Sequence, residues 1–123
     1  CHEILITMAQ SPRAFVARLP FITSLGHGTG GDDRQKKGAK TKGPTRLMSD
    51  MCVMEPDPVT KEMTVVSLHP GVTREALQGA TGWPLKYAAD AGETPPPTAD
   101  ELRVLREIMA RTRRAHEGAQ QET

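Results

Sequence analysis

At 123 residues with a formal net charge of +1, the chain is sized for one small domain and lacks the basic surplus of a nucleic-acid binder. Aromatic residues make up only 3% of it, so a core has to rest on Leu, Ile, Val, Met and Ala, and a core that thin calls for a partner surface to complete it. No apolar run reaches the roughly eighteen residues of a membrane helix, no secretory leader opens the chain, and two cysteines are too few for a disulfide scaffold and fit a reduced, cytoplasmic setting.

The chain starts at Cys1 without a methionine and enters the apolar run Ile4-Leu5-Ile6 almost at once, which leads us to expect upstream polypeptide that has been removed. Glu3–Met8 loosely alternates and is rich in β-branched residues, so it reads as a buried strand. Ser11-Pro12 breaks it. Arg13–Leu19, with Phe15, Val16 and Leu19 as its apolar positions, reads as a short helix or irregular strand, and Phe21-Ile22 as the end of a second strand. From Gly26 to Pro44 no apolar residue is larger than alanine. Such a stretch has nothing to bury, so residues 26–44 form a long surface loop, and loops of this length in compact domains are functional or disordered.

Thr45–Met54 and Glu62–Leu68 read as two apolar strands. Pro56-Asp57-Pro58 and Thr60-Lys61 between them make a wide hairpin turn. Thr73 can cap a helix that runs through Ala80 and stops at Gly82. Glu62–Pro84 is thus a strand, a His-Pro-Gly turn and a helix, one repeat of an α/β layer protein. Leu85–Ala88 is a short strand, and Glu93–Pro97 is a stiff proline linker. Thr98 and Glu101 form a capping box for a C-terminal helix over 98–117. Leu102, Leu105, Ile108 and Met109 make one stripe on it, and Arg111, Arg113 and Arg114 suit its C-terminal dipole. Gly118 to Thr123 reads as a frayed polar tail.

Gly26, Gly28 and Gly31 match a G-x-G-x-x-G spacing after a strand, but a dinucleotide site also needs a helix of apolar periodicity to open there. Asp32 to Gly38 has none, and no G-K-[ST] follows. The same loop region holds Arg34, Lys36, Lys37, Lys40, Lys42 and Arg46 against Asp32 and Asp33. It reads either as a solvated basic loop or as a lid whose cations meet phosphates or carboxylates. His27 and His69 have no Cys, His or carboxylate at metal spacing, so no metal site is expected. His69 reads as a turn residue whose ring packs or bonds locally. Cys1 could act as an N-terminal nucleophile with its own amino group as base, or simply mark a boundary inside a larger fold. Cys52, in an apolar strand, reads as a small core residue.

Several ordered blocks resemble one family. Ser11-Pro12-Arg13-Ala14-Phe15-Val16, Phe21-Ile22-Thr23-Ser24, Gly26-His27 and Gly43-Pro44-Thr45 are followed by Asp57-Pro58-Val59-Thr60-Lys61-Glu62-Met63 and by Val66-Ser67-Leu68-His69-Pro70-Gly71-Val72-Thr73. Ala80-Thr81-Gly82 and Thr94-Pro95-Pro96-Pro97-Thr98, with Glu101-Leu102 and Leu105-Arg106, complete the series. This is similar to the C-terminal half of the β subunit of family I CoA-transferases of the glutaconate and 3-oxoadipate type. The resemblance implies an open three-layer α/β/α sheet, of which residues 1–123 are the C-terminal portion of a single domain. It also implies partners: the N-terminal part of the β subunit and an α subunit of similar fold.

Coenzyme A enters as substrate, with no cofactor bound. In the family a glutamate forms a glutamyl-CoA thioester and a glycine-rich turn supplies the oxyanion hole. Both belong to the region before Cys1, and none of Glu3, Glu55, Glu62, Glu75 or Glu93 sits in that motif, so no catalytic nucleophile is assigned here. The resemblance places Ser24, Gly26, His27 and Gly28 at a strand end, where open α/β sheets bind ligands. It makes Lys36, Lys37, Lys40 and Arg46 lid cations near CoA phosphates or an acyl carboxylate. A related branch opens cyclic acyl-CoA intermediates of steroid breakdown as a hydrolase or lyase. That is the alternative activity.

Overall fold

The computed structural model of the chain describes residues 1–121. Five strands form a mixed sheet in the order β1-β2-β3-β4-β5, comprising β1 (Glu3–Thr7), β2 (Gly43–Met48), β3 (Cys52–Pro56), β4 (Met63–Leu68) and β5 (Lys86–Glu93). The helices are α1 (Asp33–Lys36), α2 (Arg74–Gly79) and α3 (Ala99–Gln121). The middle pairs β2·β3 and β3·β4 are antiparallel, whereas β1·β2 and β4·β5 are parallel. Parallel neighbours need long crossovers: residues 8–42 supply one, and α2 with its flanking turns supplies the other.

The core lies on one face of this sheet. Cys52 and Met54 alternate on β3 and meet Val65 of β4, Leu77 of α2 and Phe15, all nearly inaccessible. Burial pushes the Cys52 thiol above its ordinary range, as expected of an unreactive core cysteine. Phe15 stacks on Trp83 with ring centroids 5.9 Å apart. The opposite face is open, and Leu5, Thr45, Arg46 and Glu55 border a shallow depression on it. Helix and sheet thus give the expected α/β class, with the described helix α2 on the core side.

Several local expectations change. β1 is a strand but an exposed one, with only Ile6 partly buried, because it sits at the sheet edge and pairs with β2 alone. Residues 13–19 and 21–22 form turns and bends rather than helix or strand. Their polar groups bond elsewhere: Ala14 and Phe15 amides donate to Ser11 O, and the Gly82 amide donates to Phe15 O at 2.7 Å. Phe21 and Ile22 are 73% and 75% exposed. Thr45–Met54 is two strands, because the Ser49 hydroxyl accepts from the Met51 and Cys52 amides and reverses the chain, a side-chain turn that competes with the ladder.

Other elements match more closely. The Thr73 hydroxyl accepts from the Ala76 amide and caps α2. The Thr98–Glu101 capping box is closed by bonds from Thr98 N to Glu101 Oε2 (2.7 Å) and from Glu101 N to Thr98 Oγ1 (3.2 Å). β5 runs to Glu93, so the proline segment starts inside a strand, and α3 continues through Gln121 instead of fraying after residue 117. Residues 122–123 of that tail lie outside the described residues. Leu105, Ile108 and Met109 of the α3 stripe are more than half exposed.

The His69 ring does not bond locally. It spans to Ser49 O and to Thr94 Oγ1, both at 2.8 Å, and so ties the β2–β3 turn to the exit of β5. A carbonyl only accepts, so Nε2 carries the proton toward Ser49.

Candidate functional site

The glycine-rich loop is a folded unit held by two side chains. Arg34 of α1 donates from Nε to Thr41 O (2.9 Å), from one terminal nitrogen to Gly26 O (2.8 Å) and from the other to Thr41 Oγ1 (2.7 Å). Its guanidinium lies directly against Gly43, where an added Cβ would come within 2.8 Å of Nε. Asp33 accepts from the Thr29 amide at 2.9 Å and from Lys37 Nζ at 2.8 Å. The Lys37 bond and the Thr29 amide hold its carboxyl below the usual range, and the Lys36 bond does the same for Asp32. Asp32 is exposed and Asp33 partly buried; because both values are lowered, this support is present above the ordinary value of 3.8 and is lost as pH falls through the lowered one.

The loop also docks on the β3–β4 turn. The Gly31 amide donates to Thr60 O at 3.0 Å, and at Gly30 (φ +100) an added Cβ would stand 2.5 Å from that same oxygen. The turn is itself closed by Asp57, whose carboxylate accepts from the Val59 and Thr60 amides, both at 2.8 Å. Those amides hold the Asp57 carboxyl below its usual range. Between loop and turn lies a cleft of ≈ 250 Å³ bordered by His27, Gln35, Lys42, Thr45 and Lys61, with Pro44 and Pro56 as its apolar lining.

The expected site residues fall into three groups. Gly26, His27 and Gly28 belong to the loop knot: Gly26 O receives Arg34, His27 Nε2 donates to Pro44 O at 2.6 Å, and the Gly28 amide donates to Leu25 O at 2.9 Å. Lys36 and Lys37 lie on and just after α1, paired with Asp32 and Asp33 at 2.9 and 2.8 Å. Lys40 is exposed in the irregular segment beyond the turn that ends α1, and Ser24 is exposed in the bend before the loop. Arg46 is separate, since it sits in β2 and pairs with Glu55 on β3.

Cys1 is exposed and its thiol meets Glu3 O. Among the described residues no group of three or more His, Cys, Asp or Glu could hold a metal, and no helix is long and apolar enough to cross a membrane.

Sequence reasoning missed Lys61, Gln35 and Thr45, which border the cleft, and did not separate Arg34 and Lys42 from the other cations. A usable signal was present. A long glycine loop without apolar anchors has to be fixed by backbone bonds, and the Asp57-Pro58-Val59-Thr60 turn offers free carbonyls.

Residues 1–80 match the family model described as Coenzyme A transferase. The chain is 50% identical over 114 residues to a 3-oxoadipate CoA-transferase subunit from Pseudomonas knackmussii, covering 93% of this chain and 44% of that one. It is 36% identical over 64 residues to the cholesterol ring-cleaving hydrolase IpdB subunit of Rhodococcus jostii, covering 52% of this chain and 25% of that one. Among solved structures, glutaconate coenzyme A-transferase from Acidaminococcus fermentans superposes with a TM-score of 0.73 at 26% identity, over 84% of this chain and 40% of that one. The chain therefore spans less than half the length of each of these relatives.

Proposed function

Because this chain belongs to the coenzyme A transferase family, we propose that it is the C-terminal portion of the β-subunit domain of an acyl-CoA:carboxylate CoA-transferase. The observation that carries this reading is the 50% identity over nearly the whole chain to a 3-oxoadipate CoA-transferase subunit. In the proposed reaction a glutamate of the companion polypeptide attacks the acyl-CoA carbonyl and expels CoA thiolate, leaving an acyl-glutamyl anhydride. The thiolate then attacks the glutamyl carbonyl, which releases the first acid and leaves a glutamyl-CoA thioester. An acceptor carboxylate reverses the two steps. This chain's own share is a folded, net-cationic loop at the ligand end of the sheet.

Ser24, Gly26, His27 and Gly28 form the substrate-facing edge of that loop, and Lys40, with Lys36, Lys37 and Arg46, supplies cations for the CoA phosphates or an acyl carboxylate. Lys40 has no ion pair among the described residues, unlike the other three, so its charge is the most available. Replacing it, as Lys40→Gln, is expected to raise the acyl-CoA KM roughly tenfold, the worth of one charge-assisted contact, while the unfolding midpoint stays put. An unmoved KM removes Lys40 from the site.

The partners are the N-terminal part of the β subunit and an α subunit, and the free cysteines, Cys1 and Cys52, support a reducing, cytoplasmic setting for a catabolic enzyme. Mass spectrometry of the natively purified assembly, before and after incubation with acyl-CoAs, tests the reaction. A companion chain that gains CoA, with this chain unmodified, is the expected result. Release of CoA without any gain in mass favours the second reading, a hydrolase or ring-opening enzyme, which the 36% identity to the IpdB subunit supports.

A further inference from the structure

We infer that the cleft between the glycine loop and the β3–β4 turn is an oxyanion subsite in which Lys42 and Lys61 hold a phosphate or carboxylate of the substrate, an assignment that rests on the CoA-transferase reading above. The first support is electrostatic. Several acids of the loop, the turn and the neighbouring strands are committed elsewhere: Asp32 and Asp33 to Lys36 and Lys37, Glu55 to Arg46, and Glu62 to Lys86. Asp57 spends its oxygen on the Val59 and Thr60 amides. The residues that line the space are cations, neutral polar groups and prolines, with no acid among them. The Arg34 guanidinium nearby meets carbonyls and a hydroxyl but no carboxylate among the described residues. The charged side chains that line the cleft are therefore all cationic, and the Asp57 carboxylate on the adjoining turn is directed to backbone amides rather than to either lysine.

The second support is the backbone. Lys61, with φ of 63°, is the one non-glycine residue among those described in the left-handed region, where a long side chain is uncommon. It is kept there by its amide bond to Asp57 O at 3.0 Å. The preceding carbonyl, Thr60 O, receives Gly31 from the loop. The docking that builds the cleft thus also aims Lys61, and strain of this kind collects at ligand-clamping positions. Its Nζ has one partner, Pro58 O at 2.9 Å, and an ammonium has further protons to donate. At ≈ 250 Å³ the space admits a pyrophosphate or a short carboxylate chain, where one water takes about 30 Å³.

Calorimetric titration of the natively purified assembly with inorganic pyrophosphate and, separately, with succinate tests this. Wild type is compared with Lys42→Gln and with Lys61→Asn, the latter because asparagine tolerates the left-handed backbone. At least one anion is expected to bind, about tenfold more weakly in each variant, with unchanged thermal unfolding. Weakened pyrophosphate binding assigns the subsite to the CoA end, and weakened succinate binding assigns it to the acid. Binding equal in wild type and variants, or no binding of either anion, overturns the proposal. Should Lys61→Asn fail to fold, Lys42→Gln decides alone. Since no acyl transfer is needed for this readout, the subsite and the transferase reading fail separately. Lost anion binding without any CoA adduct spares the first, and a CoA adduct with unaltered anion binding spares the second.

Discussion

Gly82→Ala is expected to cost about 1–3 kcal/mol of stability, the range of an added methyl that forces packed backbone to shift. An alanine Cβ there would come 2.5 Å from Ala17 N, 2.7 Å from Phe15 O and 2.9 Å from Val16 C. All three are backbone atoms, so no rotamer change relieves the clash. Residues 15–17 have to retreat, and with them goes Phe15, which is 2% exposed and stacked on Trp83. The bond from Gly82 N to Phe15 O is lost in the same movement. Gly79→Ala is the matched comparison. It lies at the end of α2 with nothing within 4 Å of the new Cβ, and alanine favours the helix there by a few tenths up to about 1 kcal/mol. Urea unfolding of the purified assembly reads both. Equal midpoints for Gly82→Ala and wild type would show that the irregular segment is not held against α2.

Gly30→Ala acts on the site rather than the core. At φ +100 and with Thr60 O 2.5 Å from the added Cβ, the loop has to leave the turn, which opens the cleft and releases the bond from Gly31. Binding of acyl-CoA is expected to weaken by about tenfold or more, while strain of this type costs only about 1–3 kcal/mol of stability. Gly31→Ala carries the backbone strain with little crowding, since its nearest atom is 3.9 Å away. Steady-state KM values for the two variants separate strain from undocking. A Gly30→Ala enzyme with a normal KM would mean that the docked loop takes no part in substrate binding.

The parts of this architecture written in local chemistry could be read directly. Thr73 and the Thr98–Glu101 box announced their helices because each side chain satisfies an amide three residues on. The apolar run around Cys52 announced a strand and a core position for that cysteine. The segment around Phe15 could not be read, because its conformation is set by Gly82, Gln10 and Thr81, partners far along the chain. Gln10 Nε2 donates to Thr81 Oγ1 at 2.9 Å, and no period in the sequence reports such a contact. For the candidate site, the glycines and lysines marked the loop that folds around Arg34 and docks on the β3–β4 turn. Lys36 and Lys37 pair with acids four residues before them, a local relation, whereas the meeting of Lys42 with Lys61 at one cleft depends on tertiary structure. Arg46 was grouped with the loop although it lies in β2, because charge alone does not distinguish a strand's polar face from a flexible segment.

Because the five strands lie side by side in the same order as they occur in the chain, the sheet also has a natural sequence of assembly. The antiparallel centre, β2 to β4, closes through the short turns at residues 49–51 and 57–62, contacts of low separation that form early and fast. The two parallel edges require closure over residues 8–42 and 69–85, and the entropic cost of such loops grows with length. The sheet therefore grows outward from its middle. The glycine loop, carried on the longer of those closures, takes its working shape only when the β3–β4 turn is already there to receive it.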